Sequence, residues 1–270
     1  AVGDDGLHVI PVDEHGVVDV DALAEIVRNE APSLVSVMWA SNEVGAVQPV
    51  ERIAEICTEA GAAFHSDAVQ ALGKVPVRVD RVPVDLLAFS AHKLGGPRGA
   101  GVLFVRRGTR LEPLLYGGGQ ERGLRPGTED VASAVAFAVA AELAEAEREE
   151  TMSRIGALRD RLEAGLCERV PGLRINAAEA PRLPTISNLS VPGADPEMLL
   201  MALDLEGIAA SSGSACSSGA VEPSHVLLAM GLLAELAGPS VRFSLGRDTT
   251  DQDVERVLEV FPRVVERVRT

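Results

Sequence analysis

The chain has 270 residues, 46% hydrophobic, 24% charged and 3% aromatic, with a net charge of −15 and a sequence pI near 4.8. That length supports one large or two modest domains with a real core, and the acidic balance argues against nucleic acid and anionic membrane surfaces as direct partners. No apolar run reaches the ~18–20 residues that span a bilayer, and the first six residues lack the basic and apolar regions of a signal peptide. Cys57, Cys167 and Cys216 are odd in number and widely spaced, with no C-x-x-C. A disulfide framework and a zinc site are therefore not expected, no metal is expected, and a reducing, cytoplasmic setting is.

Residues 7–12 predict a strand, so the chain is expected to begin inside a fold. Residues 19–28 have helical periodicity, with Val20, Leu23, Ile26 and Val27 on one side. A strand follows at 33–40, then a helix at 49–60 with Pro49 in its first turn and Gly61 at its end. Further strands are expected at 62–67, 85–90 and 101–106. This alternation predicts an α/β layer with a mainly parallel sheet, in which ligands collect at the carboxyl ends of the strands. Asn42, Asp67, Ser90, His92 and Lys93 all fall at or just past such ends.

Residues 130–170 read as almost continuously helical, Ala-rich and buried up to 146, then charged and solvated. After them come a strand at 186–191, a helix at 197–206, a strand at 208–211, a helix at 224–230, a strand at 241–245 and a helix at 251–269. Two domains are expected, a large one over 1–140 and a small C-terminal α/β one over 141–270.

The run Phe89-Ser90-Ala91-His92-Lys93-Leu94-Gly95-Gly96 sets a lysine between an apolar segment and a glycine-rich turn. Buried lysines are rare without a task. A lysine amine in a partly desolvated pocket forms a Schiff base with an aldehyde such as pyridoxal 5'-phosphate; the alternative is a strand-end lysine reaching solvent. Asp67 either caps the following helix or keeps a pyridine nitrogen protonated. Gln70, one turn on, can donate to a ring hydroxyl, and His65 shares the face of Asp67 either near the site or in the core. The Ser90 hydroxyl and the His92 imidazole can bind phosphate oxygens.

The stretch Gly117 to Gly123 does not follow a clear strand and open a long helix, so it reads as an active-site or interface loop rather than a nucleotide loop. Cys216 sits in a small, polar tract from Ser211 to Gly219, where an exposed thiol suggests a reactive one. Cys57 and Cys167 read as core cysteines. Arg242, within a strand, suits either bidentate binding of a carboxylate or a structural ion pair.

These residues together resemble the cysteine desulfurases of the class V, fold type I, pyridoxal-phosphate transferases. The resemblance runs from about Leu7 to the C-terminus. It is carried by Ser41-Asn42-Glu43-Val44-Gly45, His65-Ser66-Asp67-Ala68-Val69-Gln70, Ser90-Ala91-His92-Lys93, Gly117 to Gly123, Ser212-Gly213-Ser214-Ala215-Cys216 and Arg242-Phe243-Ser244-Leu245-Gly246.

The resemblance implies that Lys93 holds pyridoxal phosphate and moves protons, that Asp67 pairs with its pyridine nitrogen, and that Gln70 and Asn42 contact its ring oxygen or the substrate. Ser90 and His92 hold the phosphate, Thr128 reaches the phosphate of the other subunit of a homodimer, and Arg242 holds the carboxylate of L-cysteine. Cys216 takes the sulfur as a persulfide, with His92 a candidate to assist it, and passes it to an acceptor protein for iron–sulfur assembly or tRNA thiolation. A selenocysteine lyase or another class V enzyme is the alternative within this fold.

The resemblance also implies a further segment ahead of Leu7, with a phosphate loop and a ring-stacking histidine, so the expected fold is a partial large domain plus the small one. On that expectation the chain alone binds pyridoxal phosphate weakly and turns over little, and the remaining alternative is an inactive structural subunit.

Overall fold

A computed structural model describes residues 6–212 and 222–269. In chain order its elements are α1 (Val20–Glu30), β1 (Leu34–Ser36), α2 (Val50–Ala60), β2 (Ala63–Asp67), β3 (Leu86–Ser90), β4 (Gly101–Val105), α3 (Val131–Ala146) and α4 (Arg148–Arg169). There follow β5 (Arg174–Ile175), β6 (Ile186–Ser190), α5 (Pro196–Leu205), β7 (Ser211–Ser212), α6 (His225–Ala229), α7 (Ala234–Ala237), β8 (Ser240–Ser244) and α8 (Asp251–Val268). The chain divides into two compact units: Ala31–Trp39 with Val50–Glu147, and Ala1–Glu30 with Ala40–Pro49 and Arg148–Thr270. It thus passes between units several times, where a single boundary at 140 was expected.

The first unit carries a four-stranded sheet in the order β1-β2-β3-β4. β1, β2 and β3 are parallel and β4 is antiparallel, so the sheet is mainly parallel, as the alternation requires. β2 and β3 bury Phe64, Ser66 and Leu87, while α2 buries Val50, Ile53, Ala54, Ile56 and Cys57 at helical spacing. Gly61, at φ +71°, ends α2 in a conformation that favours glycine. The expected strand at 33–40 is regular only over β1, although Val37 and Trp39 still donate to the carbonyls of His65 and Asp67.

α3 departs from expectation. Its alanines and valines are not enclosed: Phe137 is its one buried residue, and Val131, Val135, Val139 and Leu143 are 49–66% exposed. One side of the helix packs near the turns at Gly73 and Gly96, through Ala144 and Ala140. The rest is an apolar stripe facing outward, a pattern that marks interaction surfaces. The expected single helix over 130–170 is two helices, parted at Glu147.

The second unit holds an antiparallel sheet in the order β5-β6-β8-β7. Its core is made by α4, α5, β6, β8 and α8, with Leu166, Leu189, Leu199, Leu203, Val241 and Phe261 fully buried. Thr250 and Asp253 form a capping box at the start of α8, and Asp195 caps α5. The strand expected at 7–12 is not formed: Leu7 and Val9 are exposed, and Val12 makes only an isolated bridge to Val18. Backbone pairing of this segment is confined to its end, where the Pro11 carbonyl also accepts the Asp19 N–H, and one bridge does not make a strand. Cys167, expected in the core, is exposed, because α4 turns Ile155, Leu158, Leu162 and Leu166 inward. Among the described residues, no helix is long and apolar enough to cross a membrane.

Candidate active site

In the parallel-sheet unit, β2 ends at Asp67 and β3 ends at Ser90. The two strands are parallel, with Asp67 opposite Ala88, so both ends lie on the carboxyl edge of the sheet. The Ala68 N–H donates to the Ala88 carbonyl (3.0 Å) and locks the two ends together. Directly after Ser90, a one-turn 3₁₀ segment, Ala91–Leu94, carries His92 and Lys93. Gly95 stops it at φ +81°, where a side chain would be strained.

Each side chain here has a defined setting. Asp67 is exposed; its Oδ1 accepts the Val69 N–H at 2.9 Å. The Ser90 hydroxyl lies 2.7 Å from His92 Nδ1. The His65 ring meets the Ser36 hydroxyl (2.8 Å) on the neighbouring strand, which accounts for its place on the Asp67 face. Lys93 is exposed rather than enclosed, because its turn lies beyond the sheet edge, so it is not the buried lysine that its apolar neighbours suggest. Thr128 is exposed, two residues ahead of Asp130, which caps α3.

The second unit brings together Asn42 and Arg242. Arg242 lies in β8 between β6 and β7, opposite Asn188 and Ser211, and its Nη1 donates to the Asn42 carbonyl at 2.8 Å. Asn42 is held in a tight loop. The Ser41 hydroxyl accepts the N–H groups of Glu43 and Val44, and Gly45 closes the loop at φ +79°. Buried Glu43 anchors it further: the Ser224 hydroxyl, at the start of α6, donates to Glu43 Oε2, and Asn188 donates to the Glu43 carbonyl. Cys216 lies outside the described residues. Among those residues, no group of three or more His, Cys, Asp or Glu could hold a metal ion.

These residues fit pyridoxal phosphate chemically. A carboxylate, a primary amine, a hydroxyl–imidazole pair and an amide stand on or beside one sheet edge, and those are the groups that a pyridinium, an aldehyde, a phosphate monoester and a phenolic oxygen require.

One residue of this edge goes unnoticed when the sequence is read for motifs. Lys74 donates from Nζ to Gln70 Oε1 (2.8 Å) and to the Gln70 carbonyl (3.2 Å). Burial, followed by the like charge of Lys93, lowers its pKa from 10.5 to about 8. The signal was compositional: the chain has only two lysines, Lys74 and Lys93, among 25 basic residues.

The folded chain therefore holds fewer protons on Lys74 than the unfolded chain between pH 8 and 10.5, and this group's contribution to stability rises with pH there. Cys57 acts oppositely. Burial, then the charge of Asp85, raises its thiol from 9.0 to about 11, so its contribution falls as pH climbs from 9 to 11. A comparison of wild type with Lys74→Met cancels the cysteine. Urea unfolding is expected to show the difference moving in favour of the wild type as pH rises from 8 to 10, and a difference flat across that window would contradict the shift.

The mainly parallel sheet with a carboxylate and a lysine turn at its carboxyl edge is an α/β arrangement, and residues 4–257 match the aminotransferase class-V family. The chain belongs to that family. Among its relatives, it is 46% identical over 263 residues to a cysteine desulfurase of Gluconacetobacter diazotrophicus, covering 97% of this chain and 66% of the relative. It is 44% identical to the cysteine desulfurase NifS of Azotobacter vinelandii, covering 97% and 65%. The crystal structure of a NifS-like protein from Rickettsia africae superposes with a TM-score of 0.88 at 33% identity, covering 96% of this chain and 69% of the other. The chain thus spans about two thirds of the length of the curated relatives it matches.

Proposed function

We propose that this chain carries the cysteine desulfurase reaction, taking sulfur from L-cysteine and leaving L-alanine. The observation that carries the reading is the gathering of Asp67, Gln70, Ser90, His92 and Lys93 at one carboxyl edge of a parallel sheet. The desulfurase names of its relatives support the choice of substrate.

When bound, pyridoxal phosphate supplies an electron sink and an aldehyde that captures amines. Asp67 offers a carboxylate to a cationic ring N–H. Ser90 and His92 offer donors to phosphate oxygens, and Gln70 an amide N–H to the ring oxygen. Lys93 would hold the cofactor through its side-chain amine and would carry protons to and from the substrate carbon. Arg242, aligned by the Asn42 carbonyl, meets the substrate carboxylate as a planar cation.

The Cys216 thiolate attacks the substrate sulfur. The carbon–sulfur bond breaks, a sulfur–sulfur bond forms, and the carbon gains a proton, so cysteine and a thiol become alanine and a persulfide. His92 is the group proposed to assist that thiol. The sulfur then passes to an acceptor protein of iron–sulfur assembly or tRNA thiolation.

The reading extends to a homodimer in a reducing cytoplasm, with Thr128 reaching the phosphate held by the partner. The outward apolar stripe of α3 supports burial against another polypeptide.

The test is to incubate the full chain with saturating pyridoxal phosphate and L-cysteine, then to measure alanine and the mass of the Cys216 peptide. A gain of one sulfur on that peptide is expected, and Cys216→Ser should bring alanine release to background. Alanine release that persists in Cys216→Ser without any persulfide overturns the reading in favour of a lyase.

A further inference from the structure

The chain uses arginine at 23 of its 25 basic positions and lysine at two, Lys74 and Lys93. Arginine is always charged, whereas lysine is a compact amine that can lose its proton when desolvated. The two lysines are not scattered. Lys74 sits on the turn that follows Asp67 and Gln70, and Lys93 on the 3₁₀ turn after β3. The two turns touch: a side chain built on Gly73 would lie 3.1 Å from Leu94 Cδ2 and 2.8 Å from Ala144 Cβ. Lys93 is the charged group that acts on Lys74 from that neighbouring turn, and α3 presents alanines, Ala140 and Ala144, to these turns.

The contact between Lys74 and Gln70 has a direction. An ammonium can only donate, so the atom of Gln70 that faces it must be the amide oxygen. The second bond, to the Gln70 carbonyl, fixes Nζ over the start of the turn. With Oε1 turned to Lys74, the end of the Gln70 amide left for another partner is Nε2, a donor of two hydrogens. An unrestrained glutamine can present either end; this one is committed.

We propose that Lys74 is a positioning residue, which holds the Gln70 amide with its NH₂ group outward toward an acceptor oxygen of the ligand and couples that orientation to the charge state of Lys93. Lys74 touches neither ligand nor reacting atoms in this scheme. It acts through Gln70, and through its repulsion with Lys93. When Lys93 gives up its charge, Lys74 holds its proton more firmly and grips Gln70 more securely. The identity of the acceptor, a pyridoxal ring oxygen, rests on the function proposed above; the link from Lys74 to Gln70 and Lys93 does not.

Two experiments test this, one of them independent of any cofactor. In the full chain labelled with ¹³Cε-lysine, only two side-chain signals appear, and Lys93→Ala assigns them. Lys74 is expected to titrate near pH 8, and its midpoint should move up toward 10.5 in Lys93→Ala. A midpoint at 10.5 in the wild type, or one that Lys93→Ala does not move, sinks the inference.

The second experiment titrates pyridoxal phosphate itself into wild type, Lys74→Met, Lys74→Arg, Gln70→Ala and the Lys74→Met/Gln70→Ala double variant. Lys74→Met should weaken binding about five- to tenfold, the scale of one ordinary lost hydrogen bond. Lys74→Met should have little further effect once Gln70 is alanine. Arginine also only donates, so Lys74→Arg should restore much of the affinity while abolishing any pH dependence near 8. Additive effects of Lys74→Met and Gln70→Ala would overturn the proposed link even if all variants fold. If the wild type binds no pyridoxal phosphate, the functional reading falls, and the lysine titration alone decides this one.

Discussion

Lys93→Ala is expected to lose all covalent attachment of pyridoxal phosphate and all alanine release, with the fold unchanged. Borohydride fixes an amine-bound pyridoxal as a stable pyridoxyl group, and mass spectrometry then reports which peptide carries it. The chain offers only two lysines for that label, so the assignment is clean. Lys93 stands directly after the end of β3 and is exposed, so its removal disturbs no packing; surface substitutions of this kind stay within roughly 0.5 kcal/mol of wild type. Loss of label with a urea midpoint no lower than that of the wild type therefore reports chemistry rather than unfolding. A wild-type label found on Lys74 instead would move the covalent site across the two touching turns and overturn the assignment.

Glu163→Ala is expected to have the largest effect on stability. Glu163 on α4 receives both Nη1 and Nη2 of Arg182, at 2.9 Å each, and the two side chains are each 7% exposed. Removing the carboxylate strands a guanidinium away from water, at a cost of about 3–5 kcal/mol. That is a large share of the roughly 5–15 kcal/mol that holds a typical domain folded.

The consequence reaches the site. Arg182 bridges Ala46, and its neighbours Pro181 and Leu183 bond the backbone of Val47 and Gly45, so the segment it anchors braces the loop that holds Asn42. Urea unfolding of Glu163→Ala reads the loss directly. Replacing both partners by methionine should recover most of it, since no charge is then left alone. A single-variant loss below about 1 kcal/mol, the range of a surface pair, would show that the ion pair is solvated.

Much of this architecture is legible in the sequence, and for local reasons. Pro49, the apolar spacing of Ile53, Ile56 and Cys57, and Gly61 delimit α2 almost to the residue. The apolar runs before Asp67 and Ser90 end where β2 and β3 end, so the sequence alone puts the carboxylate and the lysine turn on one sheet edge. Arg242 likewise falls inside a strand, as its apolar neighbours require.

The misreadings share a cause. Residues 7–12 have the composition of a strand, but among the described residues their backbone pairs only at Pro11 and Val12. The valines of α3 are hydrophobic yet exposed, and Cys167 is a cysteine on the outer side of α4. Composition reports what a residue prefers to bury; only the neighbours determine whether it is buried.

The two lysines show the same division. By itself the sequence placed Lys93 at a strand end beside Ser90 and His92, because strand ends and turns follow from local pattern. It suggested a lysine out of water, and that environment belongs instead to Lys74, 19 residues earlier. Desolvation is a sum over atoms brought close by folding, from the Gln70 carbonyl to the turn at Leu94, and no local pattern contains it. The chemistry was written in residue types and their order; which amine sheds its water, and which way Gln70 faces, was decided by tertiary structure.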